Sequence, residues 1–119
     1  MQKVNIEEKF SLINKHWSPK IVGELNGQHV LLAKIKGEFV MHKHDNEDEM
    51  FLVIEGSFKM EMPDKTIELN KGEFLIIPKG QEHRPIADSE ALILLFEPAG
   101  TINTGNVKHD YSIDSPERI

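Results

Sequence analysis

The sequence predicts an all-β protein with one short helix near its amino terminus. From Lys20 to Pro98, short apolar runs recur between turn signals rich in Gly, Pro, Asn and Asp, a pattern typical of strands joined by tight turns. Some runs alternate strictly between apolar and polar residues, as half-buried antiparallel strands do. Many short strands separated by regular turns indicate a β-sandwich or a β-barrel.

Composition limits the number of domains and the class of partner. A chain of 119 residues suits one domain, and we expect a single domain over 1–119 with a β core at about 20–98 and a C-terminal tail at 99–119. The net charge of −6 argues against nucleic acid as a partner, because non-specific binding needs a basic face. No apolar run approaches the roughly 18 residues that span a bilayer, and the first residues lack a signal-like apolar core. We therefore expect no membrane partner and a cytoplasmic location.

Residues 5–15 predict a short amphipathic helix ahead of the strands. Asn5 is suited to the N-cap, and Glu8 three residues later completes a capping-box pattern. The apolar positions fall near helical spacing, at Ile6, Phe10 and Ile13. Two aromatic rings of this region, those of Phe10 and Trp17, either pack on the β core or form a dimer contact.

A β-hairpin is predicted from Lys20 to Lys36. Asn26-Gly27 lies between its two arms and is a strong hairpin signal, because a type I′ turn needs positive φ at both central positions. The second arm contains His29, which we interpret as a surface strand residue.

Two closely spaced histidines follow this hairpin. Successive side chains of a β-strand point to opposite faces, so in a strand His42 and His44 point the same way and Lys43 points the other way. Two imidazoles on one face can clamp a borderline-soft cation. A polar turn at 45–48 then leads into the apolar strand MFLVI.

Other side chains can join the two histidines. Glu49 opens the return strand, where its carboxylate can come back beside the imidazoles, and Asp48 is the rival acid. His83 follows a predicted turn at 78–80 and can supply a third imidazole. Unless a bulge intervenes, the interior face of the return strand also carries Phe51, Val53 and Glu55.

Four further strands and a tail complete the chain. SFKMEM alternates, with Phe58, Met60 and Met62 on one face, and TIEL returns after a turn. EFLIIP is the next strand, and ALILLFEP is apolar enough for a strand buried on both faces. The polar tail from residue 99 either lies over the core or is partly disordered, and Tyr111 and Ile113 are its candidate anchors. We interpret His16 and His109 as surface residues, and Arg84 as part of a surface salt bridge.

Two motifs resemble the signatures of the cupin superfamily. The first is Gly37-x4-His42-x-His44-x4-Glu49-x6-Gly56, with one residue fewer between Gly and His than the usual signature. The second is Gly72-x5-Pro78-x-Gly80-x2-His83, with Ala87 where the family usually has Asn. The resemblance is to small single-domain cupins, including those like phosphomannose isomerase. It implies a double-stranded β-helix, or jelly-roll barrel, whose metal ligands are His42, His44, Glu49 and His83.

The resemblance also implies a range of functions. Three imidazoles and a carboxylate suit one divalent ion, and Fe, Mn, Ni, Zn and Cu all fit this donor set. The first hypothesis is a small metal-dependent enzyme, with dioxygenase or isomerase chemistry, acting on a small molecule. The alternative is a non-catalytic module that binds a small molecule, with a structural or vestigial metal site. No acid or base beyond the four ligands stands out, and cupin-like barrels often form homodimers, which we expect here.

Overall fold

The computed structural model describes all 119 residues and contains one helix and seven strands. The helix, α1, spans Ile6–Phe10. The strands are β1 (Lys20–Leu25), β2 (Gln28–Glu38), β3 (Glu49–Glu55), β4 (Ser57–Met62), β5 (Lys65–Asn70), β6 (Phe74–Ile77) and β7 (Arg84–Pro98). The predicted all-β fold with a short N-terminal helix is therefore confirmed. No helix is long and apolar enough to cross a membrane.

The helix α1 is shorter than the predicted span of 5–15. Its N-cap is as expected, because the Asn5 side chain accepts a hydrogen bond from the Glu8 backbone N–H at 2.9 Å. After Ser11 the backbone changes to i→i+3 hydrogen bonds, from Leu12 to Lys9 and from Ile13 to Phe10. The tighter turn ends the α-helix early but still buries Phe10 and Ile13.

Strands β1 and β2 form the predicted hairpin. Asn26 and Gly27 have φ values of 51° and 76°, as the central positions of a type I′ turn require. The strand β2 continues past the hairpin to Glu38, with a register shift between Ile35 and Gly37 where it follows β7. This irregularity lies immediately before the segment that carries the two histidines.

The long strand β7 organises the sheet. The strand order is β1-β2-β7-β3-β6, and β4 pairs with both β5 and the start of β7, all antiparallel. The prediction that this strand is buried on both faces is only half right. Ala91, Ile93, Leu95 and Glu97 are buried, whereas the alternate residues are only partly covered. Since side chains alternate along a strand, one face of β7 lines the barrel interior and the other supports the outer layer.

Two apolar clusters follow from this arrangement. The larger one fills the barrel and includes Phe58, Met60 and Ile93, so the apolar face of SFKMEM, whose direction the sequence left open, points inward. The smaller one lies on the outside, where α1 covers the sheet, and contains Phe10, Ile13, Val22 and Leu32. Trp17 joins the larger cluster. Phe10 and Trp17 therefore pack on the β core of their own chain, the first of the two alternatives.

The tail from residue 99 lies over the barrel. Thr101 and Thr104 are buried, and the last residues return to β1, where the Ile119 backbone N–H donates to the Ile21 carbonyl at 3.0 Å. The tail thus takes the first of the two predicted states. Tyr111 is one anchor, because its ring stacks on Phe39 at a centroid distance of 5.8 Å.

Candidate metal centre

The two neighbouring histidines lie in an extended loop, so the prediction that they lie in a regular strand is wrong. Only one isolated bridge, between His42 and His83, pairs this segment with another. The two residues exchange backbone hydrogen bonds of 3.1 and 2.9 Å, and the His44 carbonyl accepts from Gly80 N–H at 2.7 Å. The backbone stays extended, so His42 and His44 are both buried while Lys43 is only partly covered. The prediction that the two imidazoles point the same way is therefore correct, although the segment is not a strand.

Four side chains from three parts of the chain converge on one point. His42 and His44 come from this loop, Glu49 from the start of β3, and His83 from the residue before β7. One potential ligand atom from each lies within 4.8 Å of the others, and all four residues are buried. Asp48, the rival acid, lies outside this group, and its side chain accepts a hydrogen bond from Lys79 N–H at 2.8 Å.

Backbone carbonyls fix the orientation of two imidazoles. The Nδ1 of His42 lies 2.8 Å from the Val40 carbonyl, and the Nδ1 of His83 lies 2.9 Å from the Gln81 carbonyl. A carbonyl oxygen only accepts, so each Nδ1 carries the proton and each Nε2 keeps a free lone pair. Histidines that bind metals are usually held in this way.

Several polar atoms at the centre of the group have no hydrogen-bond partner. They are both ring nitrogens of His44, Nε2 of His83 and Oε1 of Glu49. The Glu49 oxygen lies 3.5 Å from His44 Nε2 and 3.4 Å from His83 Nε2, too far for good hydrogen bonds. Each unpartnered buried polar atom costs about 1–3 kcal/mol. A cation between them would satisfy Nε2 of His44, Nε2 of His83 and Oε1 of Glu49 together, so the donor set fits a divalent metal ion.

The pKa shifts of His42 and Glu49 favour metal binding, whereas the shift of His44 opposes it. Burial and the neighbouring His83 lower the pKa of His42 to about 4, so this imidazole is neutral at pH 7. Burial lowers the pKa of His44 as well, but the adjacent Glu49 carboxylate outweighs burial and raises that pKa above 6.5. The opposing imidazoles likewise outweigh burial for Glu49 and lower its pKa. The Glu49 carboxylate thus makes His44 a stronger base, and a proton there competes with a metal ion for the same imidazole.

A cavity with an apolar wall adjoins the four side chains. His42 and Glu49 lie at its polar end, and the apolar wall includes Trp17, Ile35, Phe39, Phe51, Ile93 and Leu95. Phe51 and Val53 both lie on the predicted interior face, within the larger apolar cluster, and of these two Phe51 lines the cavity. The prediction fails for Glu55, because a register shift between Val53 and Glu55 turns its side chain out to an ion pair with Lys71.

Glu97 is a second acid in this cavity that sequence reasoning missed. It is only 5% exposed, and its Oε2 has no hydrogen-bond partner. Burial, and then the negative charge of Glu49, raises the pKa of the Glu97 carboxyl well above its usual value. The sequence contained a signal for this position, because Glu97 continues the every-second-residue series of Ala91, Ile93 and Leu95 along β7 and so points to the same face as they do. A carboxyl on the inward face of an apolar strand needs a special partner.

Two aromatic rings, those of Trp17 and Phe39, line the cavity, and a third ring stacks on them from the tail. Trp17 stacks on Phe39 at a centroid distance of 4.7 Å, and Tyr111 from the tail stacks on both rings. Phe39 in turn presents its ring to the edge of His42 at 5.3 Å. The tail therefore helps to enclose the cavity, which the sequence did not predict beyond the choice of Tyr111 as an anchor.

The remaining histidines lie away from the centre. His16 and His109 are at the surface, and His16 pairs with Glu90 at 2.7 Å. His29 lies on β2 near Glu24, at 3.7 Å. Arg84 forms the expected salt bridge, with its Nε 2.9 Å from Oε1 of Glu61.

Comparison with known proteins places these features in a family. Residues 29–97 match the Cupin_2 family, described as the cupin domain. The chain is also similar to the uncharacterised protein YdbB of Bacillus subtilis (strain 168), with 41% identity over 64 residues, which are 53% of this chain and 57% of that protein. The match thus spans little more than half the length of YdbB.

Two solved structures support the fold. A cupin-2 domain containing protein from Shewanella frigidimarina is 45% identical, with a TM-score of 0.79, and the match covers 80% of this chain and 93% of that one. The protein NMB1881 from Neisseria meningitidis has a TM-score of 0.76 at 24% identity, covering 82% of this chain and all of the other. The second similarity concerns the fold alone.

Proposed function

Because this chain belongs to the cupin domain family, we propose that its buried histidine–glutamate group binds one divalent metal ion and that the protein is a small metal-dependent enzyme. The proposed ligands are His42, His44, Glu49 and His83. The proposed substrate is a small molecule that presents oxygen atoms to the ion and an apolar or aromatic body to the cavity. The proposed chemistry is of the dioxygenase or isomerase type.

The observation that carries the proposal is the set of unpartnered atoms at the centre of the group. A hydrogen-bonded polar cluster without metal would pair its donors and acceptors, because leaving them unpaired in the interior is costly. Here the Nε2 atoms of His44 and His83 and the Oε1 atom of Glu49 face one another without a good hydrogen bond. The Val40 and Gln81 carbonyls hold two of the imidazoles with Nε2 free, the arrangement that a metal ligand requires.

The cavity supports a role beyond metal binding. Its wall is apolar and aromatic, with a few polar groups at one end, as in sites for small molecules. Glu97 adds a buried carboxyl to this polar end. A titratable group with a strongly raised pKa beside a candidate metal centre is typical of a functional site, and this favours the enzyme over a purely structural metal site.

The candidate ligands, the aromatic rings and Glu97 would have different roles in this enzyme. The imidazoles and the Glu49 carboxylate would hold the metal, which when bound supplies Lewis-acid or redox chemistry. The rings of Trp17 and Phe39, on which Tyr111 stacks, would exclude water and orient a flat substrate. Glu97, whose raised pKa favours the neutral acid, can hold a proton within the cavity and donate a hydrogen bond to a bound oxygen.

The alternative function is a binding module without turnover. The same cavity would hold a small molecule, and the metal would anchor the ligand or stabilise the barrel. Oxygen uptake or conversion of a candidate substrate supports the enzyme, whereas tight ligand binding without a product supports the module.

The metal proposal is tested by elemental analysis of protein purified without a tag or chelator. We expect about one equivalent of a transition metal in the parent, and loss of that metal in His42→Ala and His83→Ala. His29→Ala is the matched control, because this histidine lies on β2 outside the group. Absence of metal from the parent, with no uptake on adding Fe, Mn, Ni, Zn or Cu ions, would contradict the proposal.

We also propose that the chain forms a homodimer in the cytoplasm. Phe10 and Trp17 are buried within their own chain, so they are not the contact. The edge strand β6 exposes Phe74 and Ile76, and apolar side chains of this kind support self-association. Sedimentation equilibrium tests the proposal, and a monomer at all concentrations would contradict it.

A further inference from the structure

The tail contacts the backbone between the two neighbouring histidines. The Lys43 N–H donates to the Oδ1 of Asn106 at 3.0 Å, and the Asn106 N–H donates to the Lys43 carbonyl at 3.1 Å. Both backbone groups of the residue between His42 and His44 are therefore paired with one residue of the tail. Asn106 lies outside the 29–97 segment that matches the cupin domain, whereas Lys43 and the two histidines lie within it.

This contact adds to the hydrogen bonding of the histidine loop, defined here as residues 42–44. His42 is bonded to His83, and the His44 carbonyl to Gly80. Backbone groups of successive residues in an extended chain point to opposite sides, so the Lys43 groups face the tail. Without Asn106 the centre of the loop would lose both its protein partners on that side.

Gly105 allows the tail to approach this closely. Its φ is +56°, and a Cβ atom at this position would collide with the Lys43 carbonyl oxygen and approach Cδ2 of His42 to 3.2 Å. A side chain is therefore incompatible with the contact, on grounds of space as well as conformation. Gly100, at the start of the tail, also has a positive φ, but a Cβ there would meet open space.

The tail is itself held in shape around this contact. The Asn103 side chain donates to the Tyr111 carbonyl and accepts from the Ile113 N–H, both at 2.8 Å. The Thr104 and Ser112 hydroxyls are hydrogen-bonded to each other at 2.5 Å. These bonds close residues 101–113 into a compact loop, which we name the tail loop. Asn106 is thus presented by an ordered element and not by a mobile end.

We propose that the tail loop is a positioning element of the metal centre, in which Asn106 fixes the backbone that carries His42 and His44. The inference rests on the proposed metal binding. Partners that orient metal ligands typically change metal affinity about 10–100-fold when they are removed. The hydrogen bonds of Asn106 go to Lys43 and not to the ligand rings, so we infer that it acts through the Lys43 backbone.

The test measures Co(II) binding by the full-length chain, using calorimetry against a competing chelator and the visible spectrum of the bound ion. We expect Asn106→Ala to lose about tenfold in affinity and to alter the Co(II) spectrum, because the two imidazoles are less well fixed. Asn106→Asp keeps the acceptor oxygen for Lys43 N–H, so it should retain nearly the parent affinity and spectrum. Circular dichroism at the same temperature checks that each variant is folded.

The two glycines provide a second comparison. Gly105→Ala should weaken Co(II) binding at least as much as Asn106→Ala, because the added methyl group pushes the tail loop away from Lys43. Gly100→Ala carries a similar backbone penalty without the collision, so it should bind as the parent does. If Gly105→Ala does not fold, Asn106→Ala decides the question.

The outcomes separate the two proposals. A parent that binds no Co(II) or other divalent ion overturns the proposed metal centre, and with it the role of the tail loop. A parent that binds Co(II), together with an Asn106→Ala variant of unchanged affinity and spectrum, overturns only the role of the tail loop.

Discussion

The Oε1 atom of Glu49 lies 3.4 Å from Nε2 of His83, and both residues are almost inaccessible to solvent. Neither atom has a hydrogen-bond partner. Glu49 opens β3 and His83 precedes β7, so the contact joins two distant segments at one end of the barrel. Two polar atoms brought together by the fold, and left unpaired at this distance, mark the point where a cation would bind.

Replacing each acid in turn should show whether Glu49 or Asp48 is the metal ligand. Glu49→Gln removes the only carboxylate within the group of four, so we expect a loss of metal affinity of more than about tenfold. Asp48→Asn is the matched control, because Asp48 binds the Lys79 backbone away from the histidines. Isothermal titration with Zn(II) measures both. An equal loss of metal affinity in the two variants, or a loss only in Asp48→Asn, would contradict the choice of Glu49 as the acidic ligand.

Metal affinity should fall as the pH decreases from a point above 6.5. The Glu49 carboxylate outweighs burial and raises the pKa of His44, so in the metal-free protein a proton competes for this ligand. Burial and His83 lower the pKa of His42 to about 4, so His42 binds no competing proton until the solution is far more acidic. A single competing proton lowers the affinity about tenfold for each pH unit below its pKa.

A chelator-competition titration at several pH values measures this dependence. An affinity that stays constant from about pH 8 to about pH 5 would show that no imidazole has to lose a proton. In Glu49→Gln the charge that raises the pKa of His44 is absent, so the onset of the decrease should move to lower pH.

Packing of the helix α1 on the outer face of the sheet can be tested with two leucines. Leu32 is fully buried beneath α1, next to Phe10 and Ile13, so Leu32→Ala should destabilise the fold by about 2–5 kcal/mol. Leu12 is 62% exposed, and Leu12→Ala should change the free energy of unfolding by less than about 0.5 kcal/mol. Urea denaturation measures both, and similar values would contradict the described packing.

The sequence predicted which four side chains converge because their spacing tolerates changes in local structure. His42 and His44 share a direction in any extended backbone, whether or not it forms a strand, and Glu49 begins an unmistakable apolar run. The position of Glu55 could not be predicted, because the bulge at Val53 depends on how β3 pairs with β7. The pairing is a property of the whole sheet and leaves no local signal.

The contribution of the tail was hidden for a different reason. Asn106 binds Lys43, and Tyr111 stacks on Phe39, but these contacts join residues more than sixty positions apart. Polar composition predicts only that such a segment is irregular. In the sequence Gly105 looks like an ordinary loop glycine, and only the structure shows that the Lys43 carbonyl lies against it.

Glu97 should make the stability of the metal-free protein depend on pH. Burial, followed by the charge of Glu49, raises the pKa of the Glu97 carboxyl in the folded state. The folded protein therefore binds this proton more tightly than the unfolded chain does. The resulting stabilisation is fully present below the unfolded pKa of about 4.5 and is lost as the pH rises through the folded pKa.

Glu97→Gln carries a neutral side chain of the same shape at every pH. We expect its melting temperature without metal to exceed that of the parent at about pH 9, and the difference to shrink towards about pH 5, because lowering the pH increasingly protonates Glu97 in the parent. Glu55→Gln is the control, since that glutamate on β3 is exposed and should show no such trend. Differential scanning calorimetry in the presence of a chelator measures all three proteins. A gain for Glu97→Gln that is the same at both pH values would mean that packing, and not the charge of Glu97, separates it from the parent.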